Sequence, residues 1–270
     1  MRSKLIAVLA VGVLAAALTA CGSDSGDAEV LRVGTLTDAP PAIYLKDGKY
    51  TGFDNELLRD IAKREGFEVE FVGTEFSSLL AGVANGRFDI GSSTISATEA
   101  RKKTVAFSNG YHAEFTTIVT AKGAGLKSVG SFAGKRLGVV QASVQDDFAS
   151  HKVPGAQVVR FPDYNAGFAQ LRNGTIDGWV VPNEIGNQYI AQNATVPLEI
   201  GYKIETKQTP SAFAVARTNK PLLDKLNKGL AAAIADGTVK KLNSEFYPDS
   251  PLPKELESGG QGLPVTNPGV

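Results

Sequence analysis

Strand-like and helix-like segments alternate along this chain, and the alternation restricts its possible folds more than any other feature. Phe67, Val69 and Phe71 alternate with acidic residues, as they would in a half-buried strand. Before them, a helical stretch that Asp54 can cap ends at Gly66. Strands that alternate with helices of this length predict parallel βαβ units, with helices on both faces of a sheet.

A short sequence echo indicates that this arrangement occurs twice. Asn85-Gly86-Arg87-Phe88-Asp89 follows one predicted helix, and Asn173-Gly174-Thr175-Ile176-Asp177 follows another. The same order of helix, Asn-Gly stop and strand in each half suggests two similarly built α/β lobes.

Two β-rich segments, Thr116–Thr120 and Ala212–Ala216, are predicted to cross between the lobes. We therefore assign residues 30–116 and 213–248 to the first lobe and residues 117–212 to the second. Residues 249–270 are rich in Pro and Gly and poor in large apolar groups, so we predict a disordered tail.

The N-terminus has the layout of a secretory signal. Two cations precede a short apolar run, and small residues lead to Cys21, the only cysteine in the chain. Because Leu18-Thr19-Ala20-Cys21 is similar to a bacterial lipobox, we predict a signal peptide over 1–20 and lipid on Cys21. Residues 21–29 then form a flexible tether that holds the protein at the outer face of the membrane.

The composition argues against several functional classes. The chain has 28 Lys and Arg and 28 Asp and Glu with no basic face evident, so a nucleic-acid role is unsupported. A single cysteine permits no intrachain disulfide and no thiolate metal site. His112 and His151 are far apart without clustered acidic partners, so we predict neither a metal site nor a cofactor.

Several short motifs between the tether and the tail occur in a specific order. They are Leu31-Arg32-Val33-Gly34-Thr35, Lys49-Tyr50-Thr51-Gly52-Phe53-Asp54, Phe76-Ser77, Asp89-Ile90, the run from Ile95 to Lys103, Phe107-Ser108, Gly134-Lys135, Leu137-Gly138-Val139 and Ala235-Asp236-Gly237-Thr238. In order and spacing they resemble the bacterial extracellular solute-binding proteins, family 3, which serve polar amino acid ABC importers.

The resemblance implies a two-lobed periplasmic-binding-protein-like fold of type II, in which each lobe has a mainly parallel sheet flanked by helices. Two crossing strands join the lobes, which close on a small carboxylate-bearing solute such as an amino acid or a derivative. The closed form would deliver the solute to the permease subunits of an ABC importer. We expect an extracytoplasmic, lipid-anchored monomer that is not an enzyme.

Three consecutive cations near a predicted helix start point to the site. Thr98 can cap that helix, so Arg101, Lys102 and Lys103 face the positive end of its dipole. We predict that Lys102 and Lys103 are solvated, whereas Arg101 resembles the family arginine that binds the solute carboxylate through two hydrogen bonds. The predicted ligand-binding residues are Leu36, Tyr44, Phe76, Thr94, Ser96, Arg101, Ser143, Asn183 and Glu184.

This sequence departs from the family where acidic residues usually stand. Leu36 follows the first strand and Pro182 follows the strand that contains Trp179. In the family, the second of these carboxylates normally holds the α-ammonium of an amino acid. We therefore hypothesise that the solute lacks a standard free α-ammonium group, or that Asp38 or Glu184 has taken over the pairing.

The competing class is an enzyme, because the same fold hosts secreted dehydratases of cyclohexadienyl acids. Such an enzyme needs a carboxylic acid in the cleft to protonate the leaving hydroxyl. Glu184 is the one candidate that the sequence offers for this role.

Overall fold

The computed structural model describes residues 28–113, 115–204, 209–257 and 259–270. The predicted signal peptide (1–20), Cys21 and nearly all of the predicted tether lie outside the described residues. The first strand begins at Glu29, one residue before the predicted start of the first lobe. In the described ranges, no helix is long and apolar enough to cross a membrane.

The first lobe contains a five-stranded sheet and a small three-stranded sheet. Its elements are β1 (Glu29–Thr35), β2 (Asp38–Ala39), β3 (Ile43–Lys46), β4 (Lys49–Thr51), α1 (Phe53–Glu65), β5 (Phe67–Gly73), α2 (Phe76–Ala84), β6 (Ile90–Gly91), α3 (Glu99–Lys102) and β7 (Val105–Phe107).

The chain then builds the second lobe. Its elements are β8 (Thr116–Ala121), a 3₁₀ turn (Val129–Phe132), β9 (Arg136–Val140), α4 (Val144–Lys152), β10 (Gln157–Phe161), α5 (Tyr164–Arg172), β11 (Gly178–Pro182), α6 (Asn183–Gln192) and β12 (Leu198–Ile204). The chain returns to the first lobe with β13 (Ala214–Ala216), α7 (Lys220–Ala235), α8 (Thr238–Phe246) and a 3₁₀ turn (Lys254–Leu256).

The two large sheets have the same topology. Their strand orders are β5-β1-β6-β13-β7 and β10-β9-β11-β8-β12. In each sheet one strand, β13 or β8, runs antiparallel to both neighbours, and the other four share one direction. The prediction of two mainly parallel α/β lobes is therefore confirmed.

The five-residue echo marks equivalent positions in the two lobes. The Asp89 carboxylate accepts a hydrogen bond from the Arg32 backbone N–H in β1 at 2.8 Å, and the Asp177 carboxylate accepts one from the Arg136 N–H in β9 at 2.8 Å. In both lobes the aspartate N–H also donates to the carbonyl of that arginine. Asp89 thus ties the start of β6 to β1, and Asp177 ties the start of β11 to β9.

The chain crosses between the lobes twice, but the predicted crossing strands do not make the crossings. Thr116–Thr120 lies within β8 of the second sheet, and Ala214–Ala216 pairs within the first sheet. In the crossings, residues 108–113 and 209–213 lie outside the named strands, and a bridge between His112 and Ser211 joins them. The β-branched and apolar composition of β8 and β13 reflects pairing within a lobe. The sequence alone cannot distinguish such a strand from one that crosses between lobes.

Trp179 lies at the centre of the second lobe. It is fully buried in β11. Glycines on two neighbouring elements make room for its ring: a Cβ atom at Gly138 would lie 2.6 Å from the ring, and one at Gly167 would lie 2.2 Å from it. These glycines let β9 and α5 pack directly against the indole.

The segment predicted to be a disordered tail instead packs along the first lobe. Leu256 is buried, and Leu263 exchanges backbone hydrogen bonds with Gly110 in the first crossing. The Asn267 side chain accepts from the Phe107 N–H at 2.9 Å and donates to the Phe107 carbonyl at 2.7 Å, at the edge strand β7. A few well-placed contacts order this segment, whereas its composition reports only a low apolar content.

Asn267→Ala should lower the free energy of unfolding by about 1–2 kcal/mol, because both backbone groups of Phe107 lose a partner. The exposed Thr266 provides the control, and Thr266→Ala should change stability by less than about 0.5 kcal/mol. Urea denaturation measures both. Equal stability of the two variants would mean that the tail does not dock on β7.

Candidate functional site

A cavity lies between the two lobes at the carboxyl ends of their parallel strands, where α/β sheets commonly bind ligands. The first lobe lines it from the ends of β1 and β6, the start of α2 and from α3; the second lobe lines it from the ends of β9 and β11 and the starts of α4 and α5. The lining residues are Leu36, Phe76, Ser93, Thr94, Ser96, Arg101, Val140, Ser143, Val144, Gln145, Tyr164 and Pro182.

Arg101 connects the two lobes across this cavity. Its Nη1 donates to the Ser96 carbonyl in its own lobe at 3.0 Å, and its Nη2 donates to the Ala142 carbonyl in the second lobe at 3.1 Å. The guanidinium carbon lies 5.0 Å from the centre of the Phe76 ring. Burial lowers the pKa of Arg101 to about 10, although the Asp147 carboxylate opposes this effect, so the side chain remains cationic at neutral pH.

The turn that presents the Ala142 carbonyl is held in an unusual conformation. Ala142 has a φ of 64°, in the left-handed region that non-glycine residues rarely adopt. The Asp146 carboxylate accepts from the Ala142 N–H at 3.1 Å, and the Ser143 hydroxyl caps α4 by accepting from the Asp146 N–H at 3.0 Å. These bonds fix the direction of the carbonyl that Arg101 contacts.

The wall that the first lobe contributes to the cavity is held by a buried carboxylate. Asp54, which the sequence suggests as the cap of α1, lies in the first turn of that helix and is fully buried. Its Oδ2 accepts from the Thr94 N–H and from the Tyr111 hydroxyl, each at 2.6 Å. Burial raises the pKa of Asp54 to about 6, against the lowering effect of these hydrogen bonds and of His112.

Ser93 is a cavity residue that the sequence analysis did not identify. Its side chain is buried, and its Oγ has no hydrogen-bond partner among the described residues. Val140, Val144, Gln145 and Tyr164 were also missed. Their common position, at the carboxyl end of a strand or the start of the following helix, is the signal that could have found them.

Six predicted site residues line the cavity: Leu36, Phe76, Thr94, Ser96, Arg101 and Ser143. The other three do not. Tyr44 lies in β3 beside a separate surface pocket, the Asn183 N–H donates to the Phe115 carbonyl at 2.8 Å, and Glu184 accepts from the Ser250 hydroxyl at 3.0 Å. The first turn of α6 therefore lies against the first crossing and the tail. Pro182, the last residue of β11, still lines the cavity.

The prediction that Lys102 is solvated is wrong, since its side chain is buried beneath α3 and pairs with Glu99 at 2.7 Å. Lys103 is exposed. The Thr98 hydroxyl caps this short helix by accepting from the Arg101 N–H at 3.3 Å. The three cations thus have three different environments, and only Arg101 among them reaches the cavity.

The cavity is small in this closed arrangement. The centre of a water molecule has about 20 Å³ of freedom inside it, which is room for about one water. A solute with several heavy atoms therefore needs the lobes to separate or the Arg101 side chain to turn. In the described ranges, no group of three His, Cys, Asp or Glu side chains could hold a metal ion.

Comparison with known proteins identifies the family. The sequence pattern of the bacterial extracellular solute-binding proteins, family 3, matches residues 31–249. The chain belongs to this family. ABC transporter arginine-binding protein 1 of Escherichia coli (strain K12) is 29% identical over 243 residues, which cover 87% of this chain and 98% of that protein.

Solved structures agree with the family assignment and with the two-lobed fold. An ancestral arginine-binding protein bound to arginine is 32% identical, with a TM-score of 0.77, over 81% of this chain and 98% of that one. The ancestral amino acid-binding protein AncCDT-1, a precursor of cyclohexadienyl dehydratase, is 29% identical, with a TM-score of 0.73, over 81% of this chain and 95% of that one.

The buried carboxylate of this family 3 protein should make its stability depend on pH. Because folding raises the pKa of Asp54 from 3.8 to about 6, its contribution is most favourable below about pH 4 and is lost as the pH rises through 6. Asp54→Asn should remove this part of the decrease in unfolding free energy, which is on the order of 3 kcal/mol in full and about 2 kcal/mol between pH 4.5 and pH 7.

Urea denaturation at pH 4.5 and pH 7 measures the effect, with Asp47→Asn at an exposed turn as the control. Asp38, whose pKa burial also raises to about 6, will leave a residual slope in both variants. An unchanged pH dependence in Asp54→Asn would contradict the raised pKa.

Proposed function

We propose that this protein is the substrate-binding component of an ABC importer, and that it captures a small carboxylate-bearing solute by closure of its two lobes. The observation that carries the proposal is the position of the Arg101 guanidinium, which lies in the interlobe cavity and donates hydrogen bonds to carbonyls of both lobes. The arginine-binding relative in E. coli and the arginine-bound ancestral structure support the same role.

The state of Arg101 explains why a carboxylate is the preferred ligand. Its guanidinium is partly buried, which lowers its pKa, and two neutral carbonyls replace part of its solvation. A carboxylate offers two charged acceptors in the plane of the guanidinium, and charge-assisted bonds of this kind are roughly twice as strong as neutral ones. Solute binding would therefore offset the cost of burying the cation.

Closure follows from the division of the site between the lobes. In the open protein, the solute would bind Arg101, Ser96 and Thr94 of the first lobe, with Phe76 and Leu36 as walls. The second lobe would then contribute Ser143 and the neighbouring turn. A ligand that contacts both lobes only in the closed form shifts the equilibrium towards that form, which the permease subunits would recognise.

The enzyme alternative lacks support at the residue on which it depends. A dehydratase needs a carboxylic acid that faces the substrate, but Glu184 accepts from Ser250 and is not among the described residues that line the cavity. The similarity to a precursor of cyclohexadienyl dehydratase is to a protein described as amino acid-binding. We therefore retain solute binding as the function.

The N-terminal sequence supports a lipid-anchored, extracytoplasmic location as part of the proposal. Cleavage after Ala20 would leave Cys21 to carry the lipid, and the polar residues up to 29 would give the binding lobes freedom to reach the permease. One acyl chain binds a membrane weakly, so a stable anchor requires the several chains of a mature lipoprotein. We expect the protein to act as a monomer.

Arg101→Ala should abolish the increase in melting temperature that a bound carboxylate causes. A ligand at ~100 times its dissociation constant stabilises a protein by roughly 2.7 kcal/mol, or about 5–10 °C for this size. The control is Lys103→Ala, which removes an exposed cation two residues away. A thermal-shift screen of small carboxylates makes the measurement, and a shift that survives in Arg101→Ala would refute the assigned role.

Cys21→Ser should move the protein from the membrane fraction to the soluble extracytoplasmic fraction, because the thiol that carries the lipid is lost. Incorporation of labelled palmitate in the native chain, and its loss in the variant, provides the second readout. Continued membrane association of Cys21→Ser would show that another segment holds the protein.

A further inference from the structure

The charge of the cavity is unbalanced. Arg101 is the one charged side chain among the described residues that line it, and none of these residues carries a carboxylate. Half of them present apolar or aromatic surface: Leu36, Phe76, Val140, Val144, Tyr164 and Pro182. The others, apart from Arg101, are hydroxyl or amide residues: Ser93, Thr94, Ser96, Ser143 and Gln145.

Two acidic residues of the first lobe lie nearby, but both are engaged outside the cavity. Asp54 is behind the wall, where the Thr94 N–H and the Tyr111 hydroxyl donate to its carboxylate. Asp38 accepts from the Asn165 N–H of the second lobe at 2.8 Å. Neither carboxylate lines the cavity, so neither substitutes for an acidic residue at Leu36.

The nearby acids of the second lobe are also committed elsewhere. Asp146 is 2.9 Å from the Arg160 guanidinium and accepts from the Ala142 N–H. The Asp147 side chain is 75% exposed and lies 3.1 Å from His151. Asp147 acts on Arg101 from outside the cavity, and Asp146 holds the turn rather than facing the solute.

A free amino acid would bring an ammonium group into this site together with its carboxylate. With the carboxylate on Arg101, the ammonium would be buried within a few ångströms of a like charge and without an acidic partner. The desolvation of such a group costs several kcal/mol in proteins when no counter-charge repays it. Hydroxyl and carbonyl acceptors compensate only part of that cost.

The cavity offers an uncharged hydroxyl instead of a carboxylate. The Ser93 side chain is 1% exposed, lines the cavity and has an Oγ without a partner among the described residues. A serine hydroxyl can donate or accept, and leaving it buried and unpaired is unfavourable, so it favours a ligand with a polar group at this point. A carbonyl or hydroxyl oxygen beside the carboxylate meets this requirement without bringing a second positive charge.

We infer that the site selects a monocarboxylate whose α-substituent is an uncharged hydrogen-bond acceptor, as in a 2-oxo, 2-hydroxy or N-acylated acid, over the corresponding free amino acid. This inference rests on the proposed function, because it takes Arg101 as the group that binds the carboxylate. The apolar lining further favours a solute whose remaining part is uncharged.

Isothermal titration of the purified protein at pH 7 with matched pairs tests the selection. The pairs are 4-methyl-2-oxopentanoate with L-leucine, pyruvate with L-alanine, and N-acetyl-L-glutamine with L-glutamine. Within each pair that binds, the amine-free member should have a dissociation constant at least about tenfold lower, a difference of about 1.4 kcal/mol. Arg101→Ala should abolish binding of both members.

Two variants separate charge from shape. Leu36→Asp places a carboxylate in the cavity and should reverse the preference, so that the free amino acid binds more tightly. Leu36→Asn introduces an uncharged side chain of the same size as Asp and should leave the preference for the amine-free member. Ser93→Ala should weaken the amine-free member at least threefold, because its α-substituent loses a buried hydrogen-bond partner. It removes only one buried oxygen, so it remains informative if the Leu36 variants fail to fold.

The outcomes distinguish this inference from the proposed function. Amino acids that bind as tightly as their amine-free partners, in a manner that depends on Arg101, overturn the inference and leave the proposed function intact. Binding by no carboxylate of either kind overturns both. A preference that Leu36→Asp and Leu36→Asn change equally would show that packing, and not charge, sets the selection.

Discussion

The interlobe hydrogen bonds of Arg101 are the interaction on which the functional architecture depends. A guanidinium half removed from water needs acceptors, and this protein supplies one carbonyl from each lobe. The cation therefore has its full set of contacts only when the lobes are together. Because these acceptors are neutral, a carboxylate remains the better partner, and the same residue can both favour closure and bind the solute.

The repetition of one sheet topology in both lobes makes such a site possible. Two sheets of the same topology direct the carboxyl ends of their strands and the starts of their helices towards one another, so short loops from both sides meet at the cavity. Asp89 ties β6 to β1 in the first lobe, and Asp177 ties β11 to β9 in the second. The lobes are thus internally braced, and a bridge between His112 and Ser211 joins the two crossings.

The distribution of charge in the cleft separates binding from selection. In the proposed function, Arg101 binds the carboxylate of the solute. Which carboxylate binds depends on the groups around it. In this chain the acids near the site hold backbone elements in place, as Asp54 does for Thr94 and Asp146 does for Ala142, and the cavity itself is lined by neutral groups.

The sequence by itself determined the alternation of strands and helices, the two lobes and the position of the cationic turn, because these follow from local periodicity, glycine stops and short motifs. Tertiary structure decided the rest. Lys102 is buried and Lys103 exposed on one turn, Glu184 faces the tail instead of the solute, and the tail docks on β7 through Asn267. Glu184 and Asn267 bond to partners that are distant in the chain, and neither such contacts nor the burial of one lysine beside an exposed one leave a local pattern in sequence.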